Sequence, residues 1–152
     1  MDDQARAVGR RVRNWRQHEE AEAAAVRLGP DDHIHQMIFG PTNVALHRVA
    51  ALVRLHDPGR AFEYAGTINS AAVATLPPER RVNYLLDITE ALTLTSQYQA
   101  AVRALADAER VAPEEVRCRP LAHGLLRSLL NNTSGEPVRL VRAIATRAGV
   151  TA

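Results

Sequence analysis

Apolar residues recur at helical spacing along most of the chain. Leu46, Val49, Ala50 and Val53 make one stripe. Leu85, Ile88, Thr89 and Leu92 make a second, and Ala122, Leu125, Leu126 and Leu129 a third. Steps of three and four residues place side chains on one face of an α-helix. No segment alternates with period two for long enough to make a strand. Breakers separate the stripes: Gly29-Pro30-Asp31-Asp32, Gly40-Pro41-Thr42, Asp57-Pro58-Gly59, Pro77-Pro78-Glu79, Ala112-Pro113-Glu114 and Asn131-Asn132-Thr133-Ser134-Gly135. Pro followed by Glu suits a helix start: the missing N–H costs nothing there, and the acid faces the positive end of the helix dipole. Thr42 is a candidate N-cap. The pattern predicts an all-α fold with helices over 3–28, 43–56, 58–73, 79–95, 97–111, 114–130 and 136–148.

A repeat overlies these helices. Ala21, Ala25 and Leu28 return forty residues later as Ala61, Ala65 and Ile68, then as Ala101, Leu105 and Ala108, then as Val141, Ala145 and Ala148. For twelve positions drawn at the chain's own apolar frequency, the chance of all being apolar is about one in ten thousand, before allowing for the choice of register. Spacing of four then three keeps each trio on one helix face, and small side chains let that face lie close to its neighbours. Leu85-x-x-Ile88-Thr89-x-x-Leu92, then Tyr98-x-x-Ala101-x-x-x-Leu105-x-x-Ala108 and a closing Pro113, resemble a tetratricopeptide repeat. The match is best over 82–113. Over 43–74 the turn reads as one residue shorter, and the usual Trp and Gly of the first helix are absent. The resemblance implies stacked antiparallel helix pairs in a right-handed tetratricopeptide-like solenoid over 18–152, with a concave side lined by the first helix of each pair.

On that side the polar positions are Asn43, His47 and Arg54, then Asn83, Asp87 and Glu90. Asn43 and Asn83 are forty residues apart, so they are expected to be stacked equivalents. An Asn amide can pair with an extended peptide through both its donor and its acceptor. The competing reading is a row of ordinary solvated helix residues.

Residues 1–17 have a different character. Val8, Val12 and Trp15 form an apolar stripe, and Arg6, Arg10, Arg13 and Arg16 cluster on another face. An amphipathic end helix with a solvated basic side accounts for this. The stretch from Ala7 to Arg16 also looks like the opening helix of the helix-turn-helix domain of xenobiotic-response-element-type regulators. There a turn and a recognition helix should follow, whereas here His18-Glu19-Glu20-Ala21-Glu22 runs straight into the repeats. The element that would enter a major groove is missing, so these arginines are expected to touch phosphates at most without reading sequence.

Residues 39–149 are similar to the C-terminal repeat region of actinobacterial helix-turn-helix transcriptional regulators. The segments that carry this are Phe39-Gly40-Pro41-Thr42-Asn43-Val44-Ala45-Leu46-His47, Leu76-Pro77-Pro78-Glu79-Arg80-Arg81 and Ala108-Glu109-Arg110-Val111-Ala112-Pro113-Glu114-Glu115-Val116-Arg117. The resemblance implies a sensing or dimerising half, with most of the DNA-binding half missing from this chain.

Composition narrows the choice further. A chain of 152 residues supports one sizeable core. Aromatics are only 4%, and Ala and Leu dominate the apolar set, which favours helices. All 19 basic residues are Arg, and the net charge is only +2, which excludes a strong overall attraction to nucleic acid. Residues 1–17 hold five Arg against two Asp, so the positive excess is local to them. Cys118 stands alone, which rules out an intrachain disulfide and fits a reducing cytoplasm; it is expected to be a buried, inert thiol. Arg10-Arg11 has no apolar run behind it, and no run is long enough to cross a membrane.

His33 and His35, beside Asp31 and Asp32, make a weak metal candidate that reads better as loop surface. His47, His56 and His123 read as packed or solvated. No Gly-rich phosphate loop and no Ser-His-acid elbow occurs. The expectation is therefore a cytoplasmic, non-catalytic interaction or sensor module of a transcriptional regulator, without metal or cofactor. It would bind a protein, a peptide or a small effector, or form a homodimer. The alternatives are a free-standing adaptor that pairs with full-length regulators, and a DNA-binding protein that uses its basic first helix.

Overall fold

The computed structural model describes residues 40–151, and every regular element in them is helical. The eight helices among the described residues are α1 (Pro41–Arg54), α2 (Pro58–Ala65), α3 (Ser70–Ala74), α4 (Pro78–Leu94), α5 (Tyr98–Val111), α6 (Pro113–Cys118), α7 (Pro120–Asn132) and α8 (Glu136–Ala148). The predicted helix over 3–28 lies outside the described residues. With it lie Arg6, Arg10, Arg13, Arg16, the first copy of the repeat and the pair His33 and His35.

Proline sets most of the starts. α1, α2, α4, α6 and α7 each open on Pro, which is preorganised for the first helical position. Pro41 starts α1 two residues before the predicted bound, so Gly40 is the N-cap and Thr42 sits inside the first turn. Two predicted helices are broken. The one over 58–73 stops at Ala65, and Asn69 starts α3 afresh: its side-chain oxygen accepts the backbone N–H of Ala71 at 2.9 Å. The one over 114–130 breaks at Arg119. Pro120 cannot donate a helical hydrogen bond and disfavours helix for the residue before it, so Arg119 takes an extended ψ of 126°.

The forty-residue period is also present in the turns. Leu55-His56-Asp57 and Thr95-Ser96-Gln97 close α1 and α4 in the same way. Asp57 N–H donates to Leu52 C=O at 3.0 Å, and Gln97 N–H donates to Leu92 C=O at 2.8 Å. His56 (φ 55°) and Ser96 (φ 59°) take the left-handed conformation that this closure needs. The two turns are therefore equal in length, contrary to the shorter first turn read from sequence. The copies differ in the first helix instead, which has 14 residues in α1 and 17 in α4. A left-handed non-glycine residue costs roughly 1–2 kcal/mol. Ser96→Gly and His56→Gly are each expected to raise the unfolding free energy by about 0.5–1 kcal/mol in urea titration. Gly149→Ala, at the left-handed end of α8 (φ 68°), should shift it the other way.

Packing follows the small-residue faces. α1 lies against α2, α4 against α5, and α7 against α8, while α4 also touches α1, α2 and α7. Ala61, Ala65, Ala101, Leu105, Ala108, Val141 and Ala145 are buried, and Ile68 and Ala148 are half-buried. All nine described members of the repeat thus face inward. A large cluster joins Val82 and Leu86 of α4, Leu105 of α5, Leu126 and Leu129 of α7, and Ile144 of α8. A smaller one joins Val49 and Val53 of α1 with Ala61 of α2 and Ala91 of α4. Ile88 packs against both. Thr89 is fully buried yet satisfied, because its hydroxyl donates to Leu85 C=O at 2.7 Å.

Candidate binding cavity

Positions 43, 47, 50 and 54 step along one face of α1, and 80, 83, 84 and 87 step along one face of α4. Where these faces meet the start of α7 they enclose a cavity of about 430 Å³. Asn43, His47, Arg54, Asn83 and Asp87, all expected from the sequence on a groove, line it together. Glu90 does not line it. It sits one turn further along α4 and acts on Asp87 as a like charge. Arg80, Tyr84, Arg119 and Leu121 also line it and were not foreseen.

The two asparagines play one role twice. Arg80 Nη1 donates to Asn43 Oδ1 at 2.9 Å, and Arg119 Nη1 donates to Asn83 Oδ1. In each case an Asn in the first turns of one helix fixes an Arg from a segment 36 or 37 residues further on. Each of these carboxamide oxygens therefore accepts from a guanidinium of the chain itself. The signal that could have found these arginines is their own spacing of thirty-nine residues, close to the repeat period. Arg119 is anchored further: its Nε donates to Glu115 Oε2 at 2.7 Å.

Charge in the cavity is unevenly matched. Arg80 Nη1 lies 3.5 Å from His47 Nε2. Burial, then Arg80, then Arg54 hold the His47 imidazole below its ordinary pKa, which favours the neutral ring. Asp87 is pushed up from 3.8 to about 6, chiefly by burial. Glu90 adds to the rise, while Arg54 and Arg119 oppose it.

The native state therefore holds the Asp87 proton more tightly than the unfolded chain does. The resulting penalty is absent below about pH 4, grows as pH rises towards 6 and is complete above it. Asp87→Asn is expected to stabilise the chain by about 2 kcal/mol at neutral pH, after allowance for solvent screening, and by nearly nothing at about pH 3.5. Urea titrations of both proteins at the two pH values check this.

The remaining candidates lie elsewhere. Cys118 is exposed, not buried: α6 is six residues long, points Val116 into the core and leaves its last residue outside. His56 sits in the exposed turn after α1, and His123 Nε2 is 2.5 Å from the Arg117 carbonyl oxygen. No group of three or more His, Cys, Asp or Glu is placed to hold a metal ion among the described residues. None of the described helices is long and apolar enough to cross a membrane. Chemically, the cavity offers guanidinium groups, a ring kept largely neutral and one partly protonated carboxyl, set in apolar walls. No family model, no curated protein and no solved structure matches the chain.

Proposed function

We propose that this chain is a non-catalytic, tetratricopeptide-like interaction module that binds a peptide or protein segment in the cavity between α1, α4 and the start of α7. One observation carries the reading. Five residues picked from sequence for their places on two repeat-related helices converge on a single cavity. In this reading the touching helices α1 with α2, α4 with α5 and α7 with α8 are three stacked pairs, and the tetratricopeptide resemblance implies that they wind as a right-handed solenoid. α6 is then an extra turn before the third pair. In such an array each pair contacts only its neighbours, so a ligand that bridges α1 and α4 shifts the angle between two pairs. That gives the sensing role expected of a cytoplasmic transcriptional regulator's repeat half.

The test is selection of random linear peptides against the purified chain, followed by mapping of the winners by backbone amide shifts. Winners should perturb His47, Arg54, Asn83 and Asp87 and spare the outer face of α8. Failure to enrich any peptide, or perturbations confined to other faces, would reject the proposal.

Pairing between copies through the last helix is the second reading, favoured by Leu140, which is 40% exposed on α8. Light scattering decides it: a dimer that dissociates on Leu140→Asp would move the function to that surface.

A further inference from the structure

Among the described residues, those that line the cavity carry more positive charge than they neutralise. Three guanidinium groups reach it, from Arg54, Arg80 and Arg119. Arg119 is engaged by Glu115 and Asn83. Arg80 is held by the neutral Asn43 side chain, and Arg54 is exposed. Neither Arg54 nor Arg80 forms an ion pair among the described residues. Among the described residues, the sole carboxylate lining the cavity is Asp87. Beside these charges lie the ring of Tyr84 and the side chain of Leu121, which is 39% exposed. A guanidinium held in place by another side chain, as Arg80 is by Asn43, suits a carboxylate, the exposed Arg54 adds a second positive charge, and an apolar wall suits a short hydrocarbon stem.

We propose that the cavity takes an internal Glu or Asp side chain of a peptide partner, with its carboxylate on Arg54 and Arg80 and its stem against Tyr84 and Leu121. This deepens, and rests on, the reading of the cavity as a peptide site. Its volume, about 430 Å³, admits one or two side chains. A nucleic acid duplex fits poorly by comparison. It presents a charge about every 1.7 Å along its axis and would bring successive phosphates towards Asp87 and Glu90.

The same geometry couples binding to protons. A ligand carboxylate arriving near Asp87 disfavours the ionised form of that residue, so binding takes up a proton and tightens as pH falls. The charged groups acting on Asp87 are Arg54 of α1, Glu90 of α4 and Arg119 before α7. His47, under Arg54 and Arg80, gains charge in the same direction. The two contributions are separable: Asp87→Asn removes one and His47→Gln the other.

The experiment is fluorescence anisotropy on the full chain at about 0.15 M salt. The probes are hexaglutamate and hexaglutamine, both acetylated and amidated so that no terminal carboxylate is present. Hexaglutamate should bind at least about tenfold more tightly, and the Arg54→Gln, Arg80→Gln double variant should erase the difference. Arg139→Gln with Arg142→Gln removes the same charge from exposed positions on α8 and should leave it intact. Arg80→Gln also loses the bond to Asn43, so Arg54→Gln alone is the variant that spares the fold; it should weaken hexaglutamate roughly threefold or more.

Between about pH 7.5 and about pH 5.5 the parent should tighten, and Asp87→Asn should start tighter and respond less. Equal affinity for the two peptides overturns the inference, as does equal loss in the α8 control. Displacement of hexaglutamate by a random duplex at matched charge also overturns it, in favour of phosphate binding. If selected neutral peptides still map to α1 and α4 while hexaglutamate fails, the acidic specificity falls and the peptide site survives. If no peptide maps there, both fall.

Discussion

Leu105→Ala is expected to lower the unfolding free energy by about 2–5 kcal/mol. Leu105 is fully buried in α5, within the cluster shared by α4, α5, α7 and α8. Truncation there loses the transfer free energy of the removed carbons and leaves a void. The surrounding helices close that void only in part, because each is also fixed by other contacts. Total stability for a domain of this size is of order 5–15 kcal/mol, so this one change takes up a large fraction of it. Leu94→Ala is the control. Leu94 is 51% exposed, and its loss should stay within about 0.5 kcal/mol. Urea titration followed by far-ultraviolet circular dichroism compares the two, and equal effects would mean that the core lies elsewhere.

Ala101→Leu probes the same core from the opposite side. Ala101 is fully buried at the small-residue position of α5, equivalent to Ala61 in α2 and Val141 in α8. If this face works by close approach of helices, added carbons have nowhere to go. They force strained rotamers or a backbone shift, at a cost of about 1–3 kcal/mol. Ala143→Leu makes the same chemical change at an exposed site on α8, where the effect should stay within about 0.5 kcal/mol. Thermal unfolding of both variants gives the comparison. A neutral Ala101→Leu would show that the recurring small residues are not at a close contact.

Much of the helical layout could be read from the chain because stripes and proline breakers are local signals. α8 matches its predicted bounds of 136–148, and α4 and α5 differ by a residue at one end or both. The two broken helices show where local reading fell short. Gly66 and Asn69 interrupt one apolar stripe, and Pro120 interrupts another, without disturbing the hydrophobic spacing around them. The α1 and α4 halves of the cavity were legible for the same reason: their residues share one face of one helix.

Arg80 and Arg119 were not legible. Each is placed by an Asn far away in sequence, and Arg119 reaches the cavity from the helix break before Pro120. The raised pKa of Asp87 likewise depends on how deeply α1, α4 and the start of α7 bury it, which no stripe reveals. The exposure of Cys118 turns on the shortness of α6, which the continuous pattern over 114–130 concealed.

One measurement bears most directly on the proposed stack of helix pairs: thermal unfolding of a chain in which the forty residues 78–117 occur twice in tandem. In a stack, each unit contacts only its neighbours, so an added unit finds both partners it needs. The duplicated chain should keep its helicity per residue and melt in one cooperative transition at the same or a higher temperature. Loss of cooperativity, or a helical signal diluted by the inserted residues, would contradict the stack and with it the basis for a groove built from first helices.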